Sequence, residues 1–555
     1  MTKAPLSRNR LPAVLEPLTE RTFRRIWIAS VLSNFGALVQ GVGAAWEMTR
    51  LTQSAGMVAL VQTSIMLPLM LLALPAGAIA DMLDRRKVAL AGLTFAVAGA
   101  IALTALAFAG LLTPRLLLGM CFIIGCGAAI YGPAWQASVG EQVSAQHLPA
   151  AVALGSISYN VARSFGPAIG GVVVATAGAG AAFGANALLY MPLIFAMFLW
   201  QRTQTPSRLP PERIDRAILA GVRYASHSPP IRIVVVRTLL SALAGASVSA
   251  LTPLIAKNLL HGNAGTYGLL LGSFGIGAVV GAGFIGWVRE RVASETAVRM
   301  LAIFTGAMFV VVGASRYLPL TLAALFLAGS AWMPLTALFN VGVQLSAPRW
   351  VTARALACWS CAVTGGMAIG AWGWGQVAAI WGTDLAMITS GGALILSPLA
   401  GLLMPMPRVS NAEAEMTEAR RDPEVALAIT MRSGPIVIEI DYRVEPKQAR
   451  DFYAAMQEVR RGRLRSGAFE WSLARDIADP ELWTERFHCP TWGDFLRQRS
   501  RATQSDLANE DRVNAFHIGS NENRVRRRLE RPFGSVRWQA ETPDRGDTAV
   551  GIFTP

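Results

Sequence analysis

The sequence predicts an all-α polytopic membrane protein of twelve transmembrane helices, arranged as two pseudo-symmetric sets of six, followed by a small soluble α+β domain. The chain has 555 residues, of which 53% are apolar and only 15% charged. This composition excludes an ordinary soluble protein. The apolar residues form long runs as far as residue 406, and the remaining sequence is charged.

Twelve apolar runs are long enough to span a bilayer, which takes about 20 helical residues. The first run follows a polar, basic segment that lacks a small-residue cleavage site, so we expect an uncleaved membrane anchor. The predicted spans, numbered 1 to 12 in order, are 26–46, 55–78, 88–110, 115–139, 150–176, 181–201, 231–256, 265–288, 296–314, 318–343, 352–378 and 384–404.

The distribution of basic residues between the loops predicts the orientation of the chain. Lys and Arg in short loops favour the cytoplasmic side of a membrane. If the N-terminus lies in the cytoplasm, the external loops hold only Arg50, Arg115, Lys257 and Arg316. The other basic residues near the spans then collect on the opposite side. We therefore expect both termini in the cytoplasm.

An internal repeat relates the two sets of six spans. Gly56 and Gly77 match Gly265 and Gly286 at one constant offset, and residues near 140 match residues near 342 at another. Paired halves are typical of transporters that alternate a central cavity between two faces. The predicted segments are an N-terminal cytoplasmic segment 1–25, a six-helix bundle 26–201, a linker 202–230, a six-helix bundle 231–406, a linker 407–432, a soluble domain 433–530 and a tail 531–555.

A short charged loop separates spans 2 and 3. Gly77 is followed by Asp81 and then by Asp84, Arg85 and Arg86. These charges must lie in water or among headgroups, because an unpaired charge in hydrocarbon is costly. The loop either sets topology or changes partners between conformations. It resembles the conformational latch Gly-x-x-x-Asp…Arg-Arg of the major facilitator superfamily, although positions 82 and 84 depart from that pattern.

Arg163 is the ionisable residue that stands out within a predicted span. Counting about 1.5 Å per residue from the start of span 5 places it near mid-bilayer. A guanidinium facing lipid there is untenable, so we expect it to face a central cavity or a partner helix. It then either pairs permanently with a buried acceptor, or has a function in which it binds a polar or anionic substrate or changes partner between conformations. The surrounding motif, which resembles the helix-5 motif of superfamily exporters, comprises Asn160, Arg163, Gly166, Pro167, Gly170 and Gly171.

Other polar residues within the spans are candidates for lining a substrate cavity. A single such residue is more often a hydrogen-bonding contact between helices. No Asp or Glu falls in the middle of a span, so the candidates for proton coupling are the peripheral carboxylates Glu47, Glu141 and Asp81. The cavity candidates besides Arg163 are Asn34, Gln40, Gln62, Tyr131, Gln136, Asn340, Gln344 and Thr364.

The sequence after Met406 predicts a second, soluble fold. Residues 436–444 alternate as a strand does, and residues 446–461 have helical spacing. Two further strands at 468–473 and 483–488 precede helices at 493–501 and 505–516, which is the order of a ferredoxin-like α+β domain. The segment resembles the dimeric α+β barrel domains related to antibiotic-biosynthesis monooxygenases. That resemblance implies a cytoplasmic domain able to pair two chains.

The transmembrane part resembles the enterobactin-exporter-like branch of the major facilitator superfamily, on residues 23–36, 81–87 and 160–171. The resemblance implies an efflux antiporter of the bacterial inner membrane, driven by the proton gradient. Its substrates would be small molecules such as siderophores or drugs. We expect alternating access, with Asp81, Arg85 and Arg86 bridging the cytoplasmic ends of the two halves in the outward-facing state.

Several other functions are disfavoured. The net charge is +15, but the basic residues are dispersed, so nucleic acid is not expected as a partner. The Cys358-Trp-Ser-Cys361 spacing lies in an apolar helix, and no metal, cofactor or catalytic cluster is visible. Two alternatives stay open: a membrane-anchored enzyme that acts through its C-terminal domain, and a scaffold that transports nothing.

Overall fold

The computed structural model describes residues 13–144, 146–201, 222–348, 351–407, 423, 425–427, 429–500, 502–519 and 524–530. The chain divides into two compact units. The membrane unit comprises Met1–Ile218, Ile233–Val341 and Ala357–Met406. The C-terminal unit comprises Leu219–Arg232, Gly342–Leu356 and Pro407–Pro555, so that it includes part of the predicted linker.

Five helices form the first half of the membrane unit. Ser54, Asp84 and Thr113 each accept a hydrogen bond from a backbone N–H group in the first turn of one of them. Such caps satisfy donors that the first turn of a helix leaves without a partner. The five helices are α1 (Arg21–Leu51), α2 (Ala55–Met82), α3 (Arg85–Phe108), α4 (Pro114–Ser138) and α5 (Leu148–Leu199).

Helix α5 is broken at Gly178, whose φ of 81° and ψ of 171° are not helical. Glycine adopts such a conformation readily because it has no Cβ atom. Along the arm before the break, Gly166 and then Gly170 meet successive turns of α1, so this arm runs parallel to α1. Along the arm after the break, Ala182 and Asn186 meet turns of α1 in the reverse order. The chain therefore reverses direction at Gly178.

The second half of the membrane unit depends on glycines for its packing. A side chain at Gly277 would collide with the backbone of Phe326, and one at Gly281 with the backbone of Ser330. Small residues of this kind let membrane helices approach closely. The helices are α6 (Pro229–Gly245), α7 (Ser247–Leu254, followed by a π-helical turn), α8 (Ala264–Arg291), α9 (Ser294–Ala314), α10 (Leu318–Ser346), α11 (Thr352–Trp381), α12 (Thr383–Leu396) and α13 (Ala400–Leu403).

Eleven helices within the described residues are long and apolar enough to cross a membrane. The count differs from the predicted twelve at one place, because predicted spans 5 and 6 both fall in the broken α5. Its candidate segment, Ala150–Leu199, has 50 residues. A straight helix of that length would measure about 75 Å, against a hydrocarbon core of about 30 Å. Large apolar side chains such as Phe108 and Leu188 are exposed on the outside, as contact with lipid requires.

The C-terminal unit contains a four-stranded antiparallel sheet, in which the second, third, first and fourth strands along the chain are neighbours in that order. The three predicted strands and three predicted helices are present. The fourth strand is not predicted, because its sequence, Val-Arg-Arg-Arg-Leu, is too charged to stand out as a strand. The elements are β1 (Ile436–Arg443), α14 (Ala449–Arg465), β2 (Phe469–Arg475), β3 (Leu482–Cys489), α15 (Trp492–Ser500), α16 (Gln504–Asn514) and β4 (Val525–Leu529).

The helices of this unit pack on one face of the sheet. Phe452 of α14 lies against Tyr442 and Trp483, with ring centroids 5.3 and 5.7 Å apart. A second apolar cluster surrounds Phe487 on β3. The opposite face of the sheet carries ion pairs between β1 and β4. The sheet therefore has one face covered by helices and an opposite face, which we call the charged face, that carries these ion pairs.

Candidate functional site: a cleft between two halves

The two halves of the membrane unit contact each other at one end, which we call the closed end and which carries the loop between α1 and α2. Trp46 stacks on Tyr267 of α8, with ring centroids 6.4 Å apart. The ammonium group of Lys257 donates a hydrogen bond to the backbone carbonyl of Thr49. These contacts join the end of α1 to the start of α8 and to the π-helical turn after α7.

Helices α5 and α8 form one of two long contacts between the halves. A Cβ atom on Gly171 would lie 2.8 Å from the Cα atom of Gly268, so neither position has room for a side chain. Nearer the middle of the membrane, the Ser164 hydroxyl donates to the carbonyl oxygen of Gly275 at 3.1 Å. Small residues on both helices thus allow their backbones to touch.

Helices α2 and α11 form the other long contact. The Thr63 hydroxyl donates to the carbonyl oxygen of Ala368 at 2.9 Å. Farther from the closed end, the Cys361 thiol donates weakly to the carbonyl oxygen of Met70 at 3.5 Å. Both helix pairs therefore hold the halves together from the closed end to about the middle of the spans.

A cavity of about 110 Å³ lies between the halves on the closed side. Its wall is mostly apolar and comes from α1, α2, α5, α7 and α8. The polar groups that line it are the amide of Gln62 and the hydroxyls of Ser249 and Tyr267. Of the predicted cavity residues, Gln62 therefore lies in the wall of this cavity.

The halves separate toward the other end, which we call the open end and which carries the loop between α2 and α3. Among the described residues of the membrane unit, no hydrogen bond joins the halves beyond Ser164 on α5 and Met70 on α2. A side chain built at Gly155, Gly283 or Gly286 would meet no atom within 4 Å. A cleft therefore opens between the halves in this direction.

Arg163 lies where the cleft begins. Successive residues in an α-helix are rotated by about 100°, so its neighbours define the directions around α5. Gly166 contacts α1, Ser164 contacts α8, and Phe165 is exposed on the apolar outer side. Arg163 takes the remaining direction, between α1 and α8 and nearly opposite Phe165. The helix therefore presents the guanidinium to the gap between the halves.

The Arg163 side chain is half-buried, and its guanidinium has no hydrogen-bond or ion-pair partner in the described part of the chain. A permanent pairing with a buried acceptor, one of the two alternatives that the sequence left open, is not formed in this conformation. Pro167, one turn farther along α5, lines the 110 Å³ cavity. Arg163 thus lies between that cavity and the open end of the cleft.

The remaining residues of the helix-5 motif shape the packing around Arg163. A Cβ atom on Gly166 or Gly170 would lie 3.0 or 3.1 Å from atoms of α1, so the two glycines let α1 approach closely. The Asn160 side chain donates to the carbonyl oxygen of Ser156 at 2.9 Å, within its own helix. The motif therefore holds α1 and α8 close to α5 on either side of the arginine.

Two of the predicted cavity residues connect helices within the first half. Gln40 is only 4% exposed, and its amide oxygen accepts a hydrogen bond from Asn186. The Asn34 amide donates to the Ser158 hydroxyl at 3.1 Å. Both bonds join α1 to α5, which is the interhelical role that the sequence left as the alternative to ligand binding.

The other cavity candidates lie in varied surroundings. The Thr364 hydroxyl donates to the Ser360 carbonyl oxygen of its own helix at 2.8 Å. Tyr131 stacks on Trp135, with ring centroids 6.2 Å apart. The last three are Gln136, which is exposed, Asn340, which is half-buried, and Gln344, which is exposed and belongs to the C-terminal unit.

The hydrogen bonds described here for residues of the predicted latch lie within the first half. Asp84 caps α3 by accepting hydrogen bonds from the backbone N–H groups of Arg86 and Lys87 at 2.9 and 3.2 Å. The Arg86 Nε donates to the carbonyl oxygen of Met197 at 3.1 Å, near the end of α5. Cations at the C-terminal end of a helix are favoured by its exposed carbonyl groups.

Arg85 pairs with Glu141 at 3.0 Å and also donates to the carbonyl oxygen of Ala137 at 2.9 Å. These two partners lie at the end of α4, within the first half. A side chain at Gly77 would meet no atom within 4 Å, so this glycine is not in a close helix contact here. The side chain of Asp81 lies outside the described residues.

Two of the candidates for proton coupling are bound to arginines. Glu141 pairs with Arg85, as described above, and Glu47 pairs with Arg50 at 3.0 Å. Glu47 lies near the closed end and Glu141 near the open end. Neither carboxylate lies at mid-membrane, as the sequence indicated.

A protein-family model described as "Transmembrane secretion effector", of the major facilitator type, matches residues 13–533. The match covers nearly all of the 555 residues. The chain belongs to this family of major facilitator transporters. The residues of the cleft and of the latch described above thus belong to a transporter.

Curated relatives of this transporter include two exporters by name. The enterobactin exporter of Citrobacter koseri is 26% identical over 397 residues, which cover 70% of this chain and 92% of the relative. The multidrug efflux pump Tap of Mycobacterium tuberculosis is 25% identical over 349 residues, which cover 59% of this chain and 80% of the relative.

Solved structures with the same fold are also transporters. The POT family transporter PepTSo superposes with a TM-score of 0.56 at 15% identity and covers 69% of this chain and 97% of its own. A bacterial homologue of the human lysosomal transporter Spinster, solved in an inward-facing and unoccupied conformation, gives a TM-score of 0.56 at 11% identity over 71% of this chain and 98% of its own. Similarity at this level shows the fold.

The transporter carries a buried charged cluster that the sequence analysis missed. Arg237 of α6 is 3% exposed and pairs with Glu295 of α9. Glu295 also accepts from Arg299 at 2.7 Å and from the backbone N–H of Met406 at 2.8 Å. The signal was present in the sequence, since Arg237 falls inside predicted span 7 and Glu295 lies beside predicted span 9. Glu295 is therefore a further peripheral carboxylate of the membrane unit, besides Glu47, Glu141 and Asp81.

Proposed function

We propose that this transporter exports small organic molecules across the inner membrane by alternating access, and that the cleft at Arg163 is the substrate path. The observation that carries the proposal is an unpaired guanidinium at the apex of a cleft that is closed at one end and open at the other. A ligand that binds there biases the equilibrium between conformations by its difference in affinity for them.

The proposed orientation places the open end in the cytoplasm. The loop between α2 and α3 at this end holds Arg85, Arg86 and Lys87, and Lys and Arg in short loops favour the cytoplasmic side. The reversal of the chain at Gly178 supports twelve spans, because each arm of α5 is long enough to cross. With twelve spans, both termini and the C-terminal domain lie in the cytoplasm, and the described conformation is inward-open.

The proposed substrate is an amphipathic molecule with an anionic or polar group. Arg163 supplies a positive charge, and the mostly apolar wall of the adjoining cavity suits a hydrophobic or aromatic body. Siderophores and drugs both fit this description. The two named relatives, an enterobactin exporter and a multidrug efflux pump, support export as the direction.

Proton antiport is the proposed source of energy. The carboxylates available for it are Glu47, Glu141 and Asp81. Glu141 is the candidate best placed to couple, because it pairs with Arg85 of the proposed latch. Protonation of Glu141 would release Arg85, which could then bind the second half in the outward-facing state.

The proposed C-terminal domain is ferredoxin-like. Its elements follow the order β-α-β-β-α-α-β, and β1 lies between β3 and β4 in the sheet. The charged face of this sheet carries no helix of the described domain, so it is the surface through which we propose that two chains pair. Chemical crosslinking of the transporter in native membranes tests this pairing, and a purely monomeric product would contradict it.

Transport by reconstituted vesicles tests the main proposal. A panel of siderophores and anionic drugs is loaded into vesicles with and without a proton gradient, and efflux is measured for the wild type, Arg163→Gln and Arg163→Lys. We expect gradient-dependent efflux by the wild type and partial activity for Arg163→Lys. Arg163→Gln should lower the efflux rate at least tenfold, which corresponds to a transport barrier higher by about 1.4 kcal/mol or more.

The matched control is Arg115→Gln. Arg115 is an exposed arginine at the closed end of the same half, so its replacement removes one charge without touching the cleft. It should transport as the wild type does. Wild-type efflux by Arg163→Gln would assign Arg163 to the scaffold, and the absence of any flux in the wild type would favour the scaffold alternative.

A further inference from the structure

The C-terminal domain contains a cavity of about 260 Å³ between its sheet and its last two helices. β1, β3 and β4 form one wall, and α15 and α16 form the other. Its apolar lining includes Ile438, Phe487 and Phe495. The cavity opens to solvent beside the exposed strand β4. Its volume is somewhat below the 300–1,000 Å³ or so of typical ligand pockets, which suits a molecule of one or two rings.

The floor of this cavity is a buried polar network. Glu485 is fully buried, and it accepts hydrogen bonds from the Tyr442 hydroxyl at 3.2 Å and the Trp471 indole at 3.0 Å. Arg463 lies between Glu485 at 3.3 Å and Glu510 at 2.7 Å. Burial alone lowers the pKa of Arg463, but the two carboxylates hold that pKa above its usual value. The network therefore stays charged and internally paired.

The charges around the cavity are not balanced. Two glutamates, Glu485 and Glu510, belong to its floor and lining. Four arginines line it: Arg463, Arg499, Arg524 and Arg527. Arg499 and Arg527 both lie close to the ring of Phe495, with guanidinium carbons 5.8 and 5.9 Å from the ring centroid. Arg527 has no hydrogen-bond or ion-pair partner in the described part of the chain, so its positive charge attracts an anion.

Gln498 provides a separate sign of a ligand. It is only 7% exposed and lines the cavity, yet its amide Nε2 has no hydrogen-bond partner. The other end of the same amide is fixed, because its oxygen accepts from the Cys489 thiol at 3.2 Å. A buried donor without an acceptor is unfavourable. The Nε2 atom is enclosed in this conformation, so an anionic oxygen in the cavity would satisfy it once the side chain turns toward the cavity.

We propose that this cavity binds a small aromatic carboxylate, with the ring against Phe495 and the carboxylate between Gln498 and the arginines. The aromatic ring of the ligand would contact the apolar wall through dispersion and the guanidinium groups through cation–π interactions, and both are favourable. The carboxylate accepts from the Gln498 amide and pairs with the arginine charge. This site is distinct from the cleft in the membrane unit and does not depend on transport.

The test measures binding to the full-length protein in nanodiscs, with empty nanodiscs as the blank. The probes are 2-naphthoate, neutral 2-naphthalenemethanol and cationic 2-naphthylmethylammonium, titrated by isothermal calorimetry. We expect saturable binding of 2-naphthoate at one site per chain and at least tenfold weaker binding of the other two. Equal binding of all three probes, or no saturable binding of 2-naphthoate, would overturn the proposal.

Variants locate the site. Arg527→Gln and Gln498→Leu should each weaken 2-naphthoate binding at least tenfold. Arg528→Gln is the matched control, because Arg528 is the next residue and pairs with Glu439 on the other face of the sheet at 3.2 Å. It should bind as the wild type does. Arg163→Gln should also leave this binding unchanged, whereas it removes transport. Binding lost with Arg163→Gln and kept with Arg527→Gln and Gln498→Leu would place the probe in the membrane cleft and overturn the proposal.

Discussion

Two arginines of the membrane unit show how the surroundings of a charge decide whether it contributes to stability or to transport. Arg237 and Arg163 both lie within apolar helices, yet Arg237 is enclosed with Glu295 while Arg163 faces the cleft. Removing one partner of a buried pair leaves the other charge uncompensated, which is costly. Removing an unpaired charge from a solvated cleft leaves no such cost. The two arginines should therefore affect different properties.

Arg237→Gln should destabilise the transporter by about 3 kcal/mol, the scale of breaking a buried ion pair. Glu295 would keep Arg299 and the Met406 N–H but lose its buried partner. The measurement is the unfolding midpoint of the purified protein in denaturant. Arg163→Gln should unfold at the wild-type midpoint, even though it should not transport.

The control for Arg237 is the exposed pair between Arg316 and Asp384. Their side chains are 48% and 43% exposed, and they lie 3.1 Å apart at the closed end. Arg316→Gln should change the unfolding free energy by less than about 1 kcal/mol, as surface pairs do. An equally large effect of both substitutions would show that burial does not set the strength of the Arg237 pair.

Cys489 shows a similar effect of burial in the C-terminal domain. Burial raises the pKa of its thiol to about 12, and the thiolate is the reactive form. Cys489 should therefore resist alkylation by iodoacetamide at pH 8 in the native protein and react after denaturation, as mass spectrometry of its peptide would show. Rapid native modification would contradict the buried position.

At the scale of helices, the contact between α5 and α8 depends on two glycines. Gly171→Leu should prevent the backbones from touching at the closed end, because a Cβ atom alone would lie 2.8 Å from Gly268. The expected result is a large loss of transport together with greater reactivity of cysteines introduced near Trp46. Efflux assays and thiol labelling measure the two effects.

Gly119→Leu is the matched control for this helix contact. Gly119 is exposed on α4, and a side chain there would meet no atom within 4 Å. The same change of residue should then leave transport and labelling near wild type. Unaltered transport by Gly171→Leu would show that close packing of α5 and α8 is not needed for the cycle.

The elements themselves were predictable where hydrophobic length or periodicity carries the information. Spans 1 to 4 and the strands β1 and β3 follow from runs of apolar or alternating residues. The strand β4 was missed because it gains its hydrogen bonds from β1, more than 80 residues away, and not from its own apolar content. Three consecutive arginines between Val525 and Leu529 show no alternation of apolar and polar residues from which a strand could be predicted.

At the scale of the molecule, the division into halves places the ends of the helices on two sides of the membrane. On a background without the five native cysteines, Gly155→Cys should react with a membrane-impermeant maleimide only from the cytoplasmic side. Ala177→Cys, beside the break in α5, should react only from the opposite side. Labelling of both variants from the same side would mean that α5 does not cross twice.

The cleft residues could be predicted only in part. Arg163 was identifiable because an arginine in a long apolar run must face water or a partner. The lack of a partner for its guanidinium could not be predicted, because it depends on how far α1 and α8 stand from α5 at the open end. Gln40 and Gln62 look alike in the sequence, and only their neighbours in space distinguish them. Gln40 bonds to Asn186 between helices, whereas Gln62 lines the cavity.

The sequence by itself determined the membrane class, the change to a charged C-terminal region with strands and helices, and the motif around Arg163, because these follow from hydrophobic length, charge and the order of residues along the chain. The tertiary structure decided the reversal at Gly178, the closed and open ends, the partners of the latch arginines, the Arg237–Glu295 pair and the cavity beside Gln498. Each of these depends on atoms brought together from distant parts of the chain, which local physical chemistry does not specify.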